Sequence, residues 1–332
     1  MMRYIDVGRF SKKFMSKIVE SCQFVVDHSS HVRIDDKKLR EFSDSFEYQD
    51  VKHWIDESPF DISTLEDDDK LHFLLIFNSL SFSYWGDPKW NIEYNSKKLD
   101  GAYGLVGAIA RAIKNGAPIL DAKFLSEISE KDFETFLSGN TQIPLFKERL
   151  DIIRDVGATL LNKYNGKLIN LVSAANNDAQ LLVELLVNNF DSFNDASTYK
   201  DSNVLFYKRA QLLTADIFQA FNGKGPGKFH NIDQLTACAD YKLPMVLREL
   251  GIFNYSDELA NLIDSRTEIE AGSNYEVELR ANTLLAIDSI TKQVKIRFPE
   301  IDAIHINDNI WIMSQDKKRF SKPYHLTRTT AY

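Results

Sequence analysis

The sequence predicts a mainly α chain with few short strands, folded as one domain over residues 1–332. Three observations carry that expectation. Apolar residues recur at helical spacing through most of the chain. Several of those stretches close on helix stop signals, such as Asn115-Gly116, Asn222-Gly223 and Gly251. No internal repeat and no low-complexity linker divides the chain, and alternating strand patterns are few.

In order, residues 11–26 place Phe14, Ile18, Cys22 and Val25 on one helical face. Residues 32–34 form a strand candidate. The acidic run Glu66-Asp67-Asp68-Asp69 complements the positive end of the helix that follows it. It lacks the alternating ligands and central Gly of a calcium loop. Residues 69–80 are apolar enough to be a buried helix, and residues 103–114 form another. Residues 129–137 open with an acidic first turn, and residues 145–163 carry Leu150, Ile153, Val156 and Leu160 at helical spacing. Residues 178–188, 207–221, 245–250, 256–263 and 275–298 complete the helices. Residues 305–313 are the second strand candidate and read equally well as helix.

Composition bounds the function. Hydrophobic residues make up 44% of the 332, as in soluble globular proteins, and the formal net charge is −8. An acidic balance argues against gripping a polyanionic backbone, which takes Lys and Arg to displace counterions. A local basic pocket for one phosphate remains compatible with it. Cys22 and Cys238 are far apart and form no metal-ligand pattern, which fits a reducing compartment. Residues 1–13 contain no apolar core of a signal peptide, and runs such as residues 73–77 are far short of a membrane span. The expectation is a cytoplasmic protein that uses no metal or cofactor and partners neither a membrane nor duplex nucleic acid. The oligomeric state is open.

One acid stands out. Asp240 lies in Cys238-Ala239-Asp240-Tyr241-Lys242-Leu243-Pro244, just before an apolar helical run. On local chemistry it reads first as a helix N-cap, because Asp is favoured there and Pro is tolerated in the first turn. The other reading is a partly desolvated carboxylate aimed into a pocket.

Seven segments then occur in one order. They are Ser29-x-x-Val32-x-Ile34, the aromatic stretch from Asn78 through Phe82 and Tyr84 to Trp85, Asp100-Gly101-Ala102-Tyr103-Gly104-Leu105, and Ile143-Pro144-Leu145-Phe146 with Arg149. Tyr207-Lys208-Arg209-Ala210-Gln211, the Asp240 segment and Glu276-Val277-Glu278-Leu279-Arg280 follow. Each is weak alone. Together they cover most of the chain and resemble the queuosine salvage protein family, the queuosine 5′-phosphate N-glycosidases.

The resemblance implies a helical fold similar to the helix-hairpin-helix DNA glycosylases. It also implies an enzyme that releases queuine from queuosine 5′-phosphate and leaves ribose 5-phosphate, serving queuine salvage and tRNA modification. It places Asp240 at the family's catalytic position, as nucleophile or stabiliser of an oxocarbenium-like ribose. Queuine is a 7-deazaguanine with a cationic secondary amine and a cyclopentene diol. A site for it calls for aromatic faces, an acid for the amine and donors for the diol. Tyr241 is placed to stack or donate. Phe82 and Trp85, with Tyr84, form an aromatic cluster, although core packing accounts for Phe82 and Tyr84 equally well.

Lys208 and Arg209 diverge by about 100° on a helix. Lys208 is the choice for the 5′-phosphate, and Arg209 for an acid within the fold. The loop Gly223-Lys224-Gly225-Pro226-Gly227-Lys228 lacks a P-loop's ending and reads as a connector. Asp100 shapes the turn at Gly101, and Glu278 and Arg280 each read as members of an internal ion pair. His53 stands loosely where the family has a ligand-contacting His, and a surface His is the plainer reading.

The C-terminal block departs from the family's Asp-Tyr-x-Leu-Trp-Asp. Matched on Trp311, it puts Asn307 on the first Asp, Asp308 on the Tyr and Ile312 on the last Asp, while Cys238 replaces a usual Phe. Cys238, Asn307, Asp308 and Ile312 therefore count as substrate-binding positions, with Asp308 the acid left for the amine. The alternatives are a divergent member that acts on, or only binds, another modified nucleotide or nucleoside, and a base-flipping DNA glycosylase. The acidic charge disfavours the last.

Overall fold

The computed structural model describes residues 14–47 and 52–332. It is mainly helical, with short two-stranded ladders between the helices. Residues 1–13, where no leader is expected, lie outside the described residues, as does the start of the first expected helix.

The first helix, α1 (Phe14–His28), buries Met15, Ile18, Cys22 and Val25, while Phe14 sits at its margin and stacks on Tyr207. Strand β1 (Val32–Ile34) follows as expected. Helix α2 (Asp36–Ser45) was not legible from spacing, but Asp35 starts it by accepting from the backbone N–H groups of Lys37 and Lys38. Helix α3 (Asp67–Leu80) carries its acids in the first turn and is buried from Lys70 to Leu80.

Strands β2 (Asn91–Tyr94) and β3 (Lys97–Asp100) form a hairpin that leads into α4 (Gly101–Lys114). Helices α5 (Ala122–Glu127), α6 (Glu130–Phe136), α7 (Phe146–Tyr164), α8 (Leu168–Ala174) and α9 (Ala179–Asn189) come next. A second hairpin, β4 (Ala196–Tyr199) with β5 (Ser202–Leu205), precedes α10 (Lys208–Ala220). Helix α11 (Lys242–Glu249), strand β6 (Phe253–Tyr255), and helices α12 (Asp257–Asp264), α13 (Asn274–Val294) and α14 (Ala303–Met313) end the order, with β6 antiparallel to β1.

Residues 305–313, one of two strand candidates, are helical. The run is rich in Ile, which favours strands, but Asp302 caps it by accepting from the N–H groups of Ile304 and His305 in a capping box. The hairpins went unread because their turns, Asn95-Ser96 and Lys200-Asp201, contain no glycine, yet all four residues adopt left-handed φ. Paired left-handed residues are what a two-residue hairpin turn demands.

Helix α13 is the spine. Val277, Ala281 and Leu284 pack into a core with α3, α4, α7 and α10. Leu279, Ile287 and Ile290 pack into a second core with α2, α11 and α14. A helix buried on both sides must find partners for its charged residues. Glu278 takes the backbone N–H groups of Ser30, His31 and Val32 and the Tyr199 hydroxyl, so the expected ion pair does not form there. Arg280 does form one, with Asp195.

Candidate active site

The segment leading to α11 is pinned residue by residue from several helices. Gln211 on α10 accepts from Thr236 N–H at 2.8 Å. Asn307 on α14 accepts from Cys238 N–H at 2.9 Å, and Arg280 on α13 donates weakly to Ala239 O at 3.4 Å. Asp240 Oδ1 accepts from the N–H groups of Lys242 at 2.7 Å and Leu243 at 3.1 Å.

Asp240 thus caps α11, as local chemistry suggested, and it also lines a cavity. One oxygen is committed to the helix start. The other accepts no hydrogen bond from the described residues. Burial raises the Asp240 carboxyl above its ordinary range, while Lys208 and the two N–H groups pull it back. Burial lowers the Lys208 ammonium, and Asp240 is the largest influence opposing it. Each group therefore opposes, without cancelling, the pull of burial on the other. Lys208 N–H donates to Asp195 at 3.1 Å, which anchors its backbone.

The cavity spans about 860 Å³ when the open space at its mouth is counted. Trp54, Phe77, Tyr103 and Trp311 give it aromatic faces, and Tyr103 meets Trp311 edge-on at 5.5 Å. Asp308 lies on its wall, buried, accepting from Gln219 Nε2 at 3.2 Å and Asn307 Nδ2 at 3.3 Å. Lys89, Lys242 and Lys317 gather about Asp100 at the same cavity, with Lys89 at 2.7 Å and Lys317 at 3.6 Å from its carboxylate. Burial, with help from Lys89, pulls Lys242 down to about 8.

Of the residues expected from sequence, the fold brings Asp240, Lys208, Cys238, Tyr241, Asn307 and Asp308 to this one cavity. Four others lie off its lining. Phe82 is core: the guanidinium groups of Arg149 and Arg209 lie over its ring at 4.0 and 5.2 Å. Those arginines donate to backbone carbonyls, Arg149 to Leu80 and Phe82, Arg209 to Ser79 and Ser192. Arg209 therefore pins the end of α3 to the turn at Ser192 and does not bond the acid expected for it. Trp85 packs with Tyr241, Leu326 and Tyr332, and its N–H donates to Thr327 O. Ile312 follows Trp311 on α14 and does not line the cavity that Trp311 lines.

His53 stands behind Asp308, with Nδ1 3.4 Å from Oδ2. Burial works to lower the imidazole, but Asp308 outweighs it and holds His53 above its ordinary value. Cys238 is fully buried, and burial pushes its thiol far up, so it lines the site as a neutral group. The Gly223–Lys228 loop does not line the cavity. Sequence reasoning missed Trp54, Tyr103 and Trp311 as walls, although each lies inside or beside a segment already singled out.

A helical scaffold that closes aromatic walls around the Asp240 carboxylate, with Lys208 on the same lining, defines an enzyme site for a small molecule with a flat ring. The queuosine salvage protein family model matches residues 62–332, and the chain belongs to that family. A relative from Sphaerobacter thermophilus, named queuosine 5′-phosphate N-glycosylase/hydrolase, is 34% identical over 323 residues, covering 95% of this chain and 97% of its own. Relatives of the same name from Nematostella vectensis and Mus musculus are 30% and 29% identical. They cover 100% and 94% of this chain, and 100% and 98% of their own.

Proposed function

We propose that the chain is an N-glycosidase that hydrolyses queuosine 5′-phosphate to queuine and ribose 5-phosphate. The observation that carries this is the divided role of Asp240: one oxygen fixed by the start of α11, the other free at an aromatic-walled cavity beside Lys208. When the bond from C1′ to the base breaks, the base leaves with the electron pair and must take up a proton. The ribose carbon becomes cationic, and water adds its oxygen there and loses a proton. A carboxylate held in place and poorly solvated stabilises that cation without reorganising.

In this reading Lys208 meets the 5′-phosphate, the aromatic faces take the deazaguanine, and Asp308 faces the amine of its side chain. Asn307 spends its amide on Cys238 and Asp308, so it orients the wall. The chain acts as one unit, similar in architecture to helix-hairpin-helix DNA glycosylases, on a free nucleotide in the cytoplasm. The test is incubation with queuosine, its 5′-phosphate and the common nucleotides, with products read by mass. Release of queuine and ribose 5-phosphate from the 5′-phosphate supports the reading. Base release from the common nucleotides alone contradicts it.

A further inference from the structure

We propose that Asp216 is a positioning residue for base recognition: it fixes the indole of Trp54 as the cavity face on which the base stacks. The inference rests on the reading that a nucleotide base occupies this cavity. Asp216 lies on α10, about two turns beyond Lys208, and is fully buried without lining the cavity. Trp54 Nε1 donates to its Oδ1 at 2.8 Å, and Asn78 Nδ2 donates to its Oδ2 at 2.7 Å. No cation forms an ion pair with it among the described residues.

Trp54 needs such an anchor. It lies in a turn between α2 and α3, where no helix or strand holds its backbone. Its ring packs on Phe77 with centroids 4.6 Å apart and planes 22° apart, and both rings line the cavity. Helix α3 thus supplies the ring beneath Trp54 and, one residue later, the amide that orients Asp216. Asn78 is itself held by Leu74 O at 3.0 Å. A hydrogen bond to a carboxylate is stronger and shorter than one to a neutral acceptor. Burying a carboxyl without a cation is costly, and burial pushes this one up to about 7. A fold that needed only an apolar contact here would be served by Leu. What the acid adds is a fixed direction for the indole, and hence a stacking plane ready before substrate arrives.

The test is steady-state hydrolysis of queuosine 5′-phosphate by wild type, Asp216→Leu, Asp216→Asn, Trp54→Ala and the Trp54→Ala/Asp216→Leu double variant, with folding checked by circular dichroism. Asp216→Leu and Trp54→Ala should each raise KM on the order of tenfold, the size of one lost base–aromatic contact, with kcat within about threefold. Asp216→Asn keeps an acceptor for the indole and should restore most of the KM. The double variant should be no worse than Trp54→Ala, because the two residues act as one unit. An unchanged KM in folded Asp216→Leu, failed rescue by Asn, or additive losses would overturn the inference. Should Asp216→Leu not fold, Trp54→Ala with an unchanged KM overturns it alone. An inactive wild type overturns the functional reading and this inference together, whereas an active wild type with an indifferent Asp216 overturns the inference only.

Discussion

Arg280 grips Asp195 with both ends of its guanidinium, at 2.9 and 2.5 Å, and both residues are buried. The same Asp195 carboxylate accepts the Lys208 N–H, and the same guanidinium reaches Ala239 O beside Asp240. Its guanidinium also lies over the rings of Phe206 and Tyr332, at 3.9 and 4.6 Å. One buried ion pair therefore sets the start of α10 and the approach to α11, and with them the spacing of Lys208 and Asp240.

Breaking that pair from one side leaves a buried guanidinium with Glu276, at 3.5 Å, as its charged partner among the described residues. Asp195→Asn should cost about 3–5 kcal/mol of stability. Urea denaturation measures it, and a loss under about 1 kcal/mol would show that the pair is not the anchor described.

Lys208→Ala should move the acidic limb of kcat/KM to higher pH. Burial raises the Asp240 carboxyl and Lys208 opposes it. Without the ammonium, the carboxylate is lost to protonation at a higher pH on acidification. The change should also weaken the 5′-phosphorylated substrate more than the free nucleoside, by about 1.5–3 kcal/mol for a lost charge-assisted contact. A pH profile that stays in place, together with equal losses on both substrates, would leave Lys208 a structural residue.

Asp308→Asn should reduce use of queuosine 5′-phosphate more than use of an analogue lacking the charged amine. Asp308 is the buried acid on the wall formed by α14, and His53 behind it competes for the same oxygen. Removing a carboxylate that meets a buried amine costs that amine its partner. Comparing kcat/KM on the two substrates decides it, since equal losses would mean the amine finds its acid elsewhere.

Much of this was legible in the chain itself. Helical spacing located most of the long helices, because each buries a stripe of one period. The motif segments named Asp240 and Lys208, and the divergent C-terminal block named Asp308, all of which line the cavity. Three kinds of feature were not legible. Hairpins with Asn-Ser and Lys-Asp turns carry no glycine to announce them. The Ile-rich run of α14 resembles a strand until Asp302 is seen as its cap. Conspicuous aromatics mislead as well: Phe82 serves two arginines in the core, while Trp54, next to the His53 that drew attention, forms the wall. Which side of a segment faces a cavity is a tertiary fact that local spacing does not encode.

The most direct measurement is product analysis of queuosine 5′-phosphate incubated with wild type and with Asp240→Asn. The substitution keeps the shape and an acceptor for the Lys242 and Leu243 N–H groups, so α11 stays capped, but it removes the charge that a cationic ribose needs. The account predicts queuine and ribose 5-phosphate from wild type and no detectable release from a variant that folds normally. Turnover by Asp240→Asn within about threefold of wild type, a barrier change under about 1 kcal/mol, would contradict it.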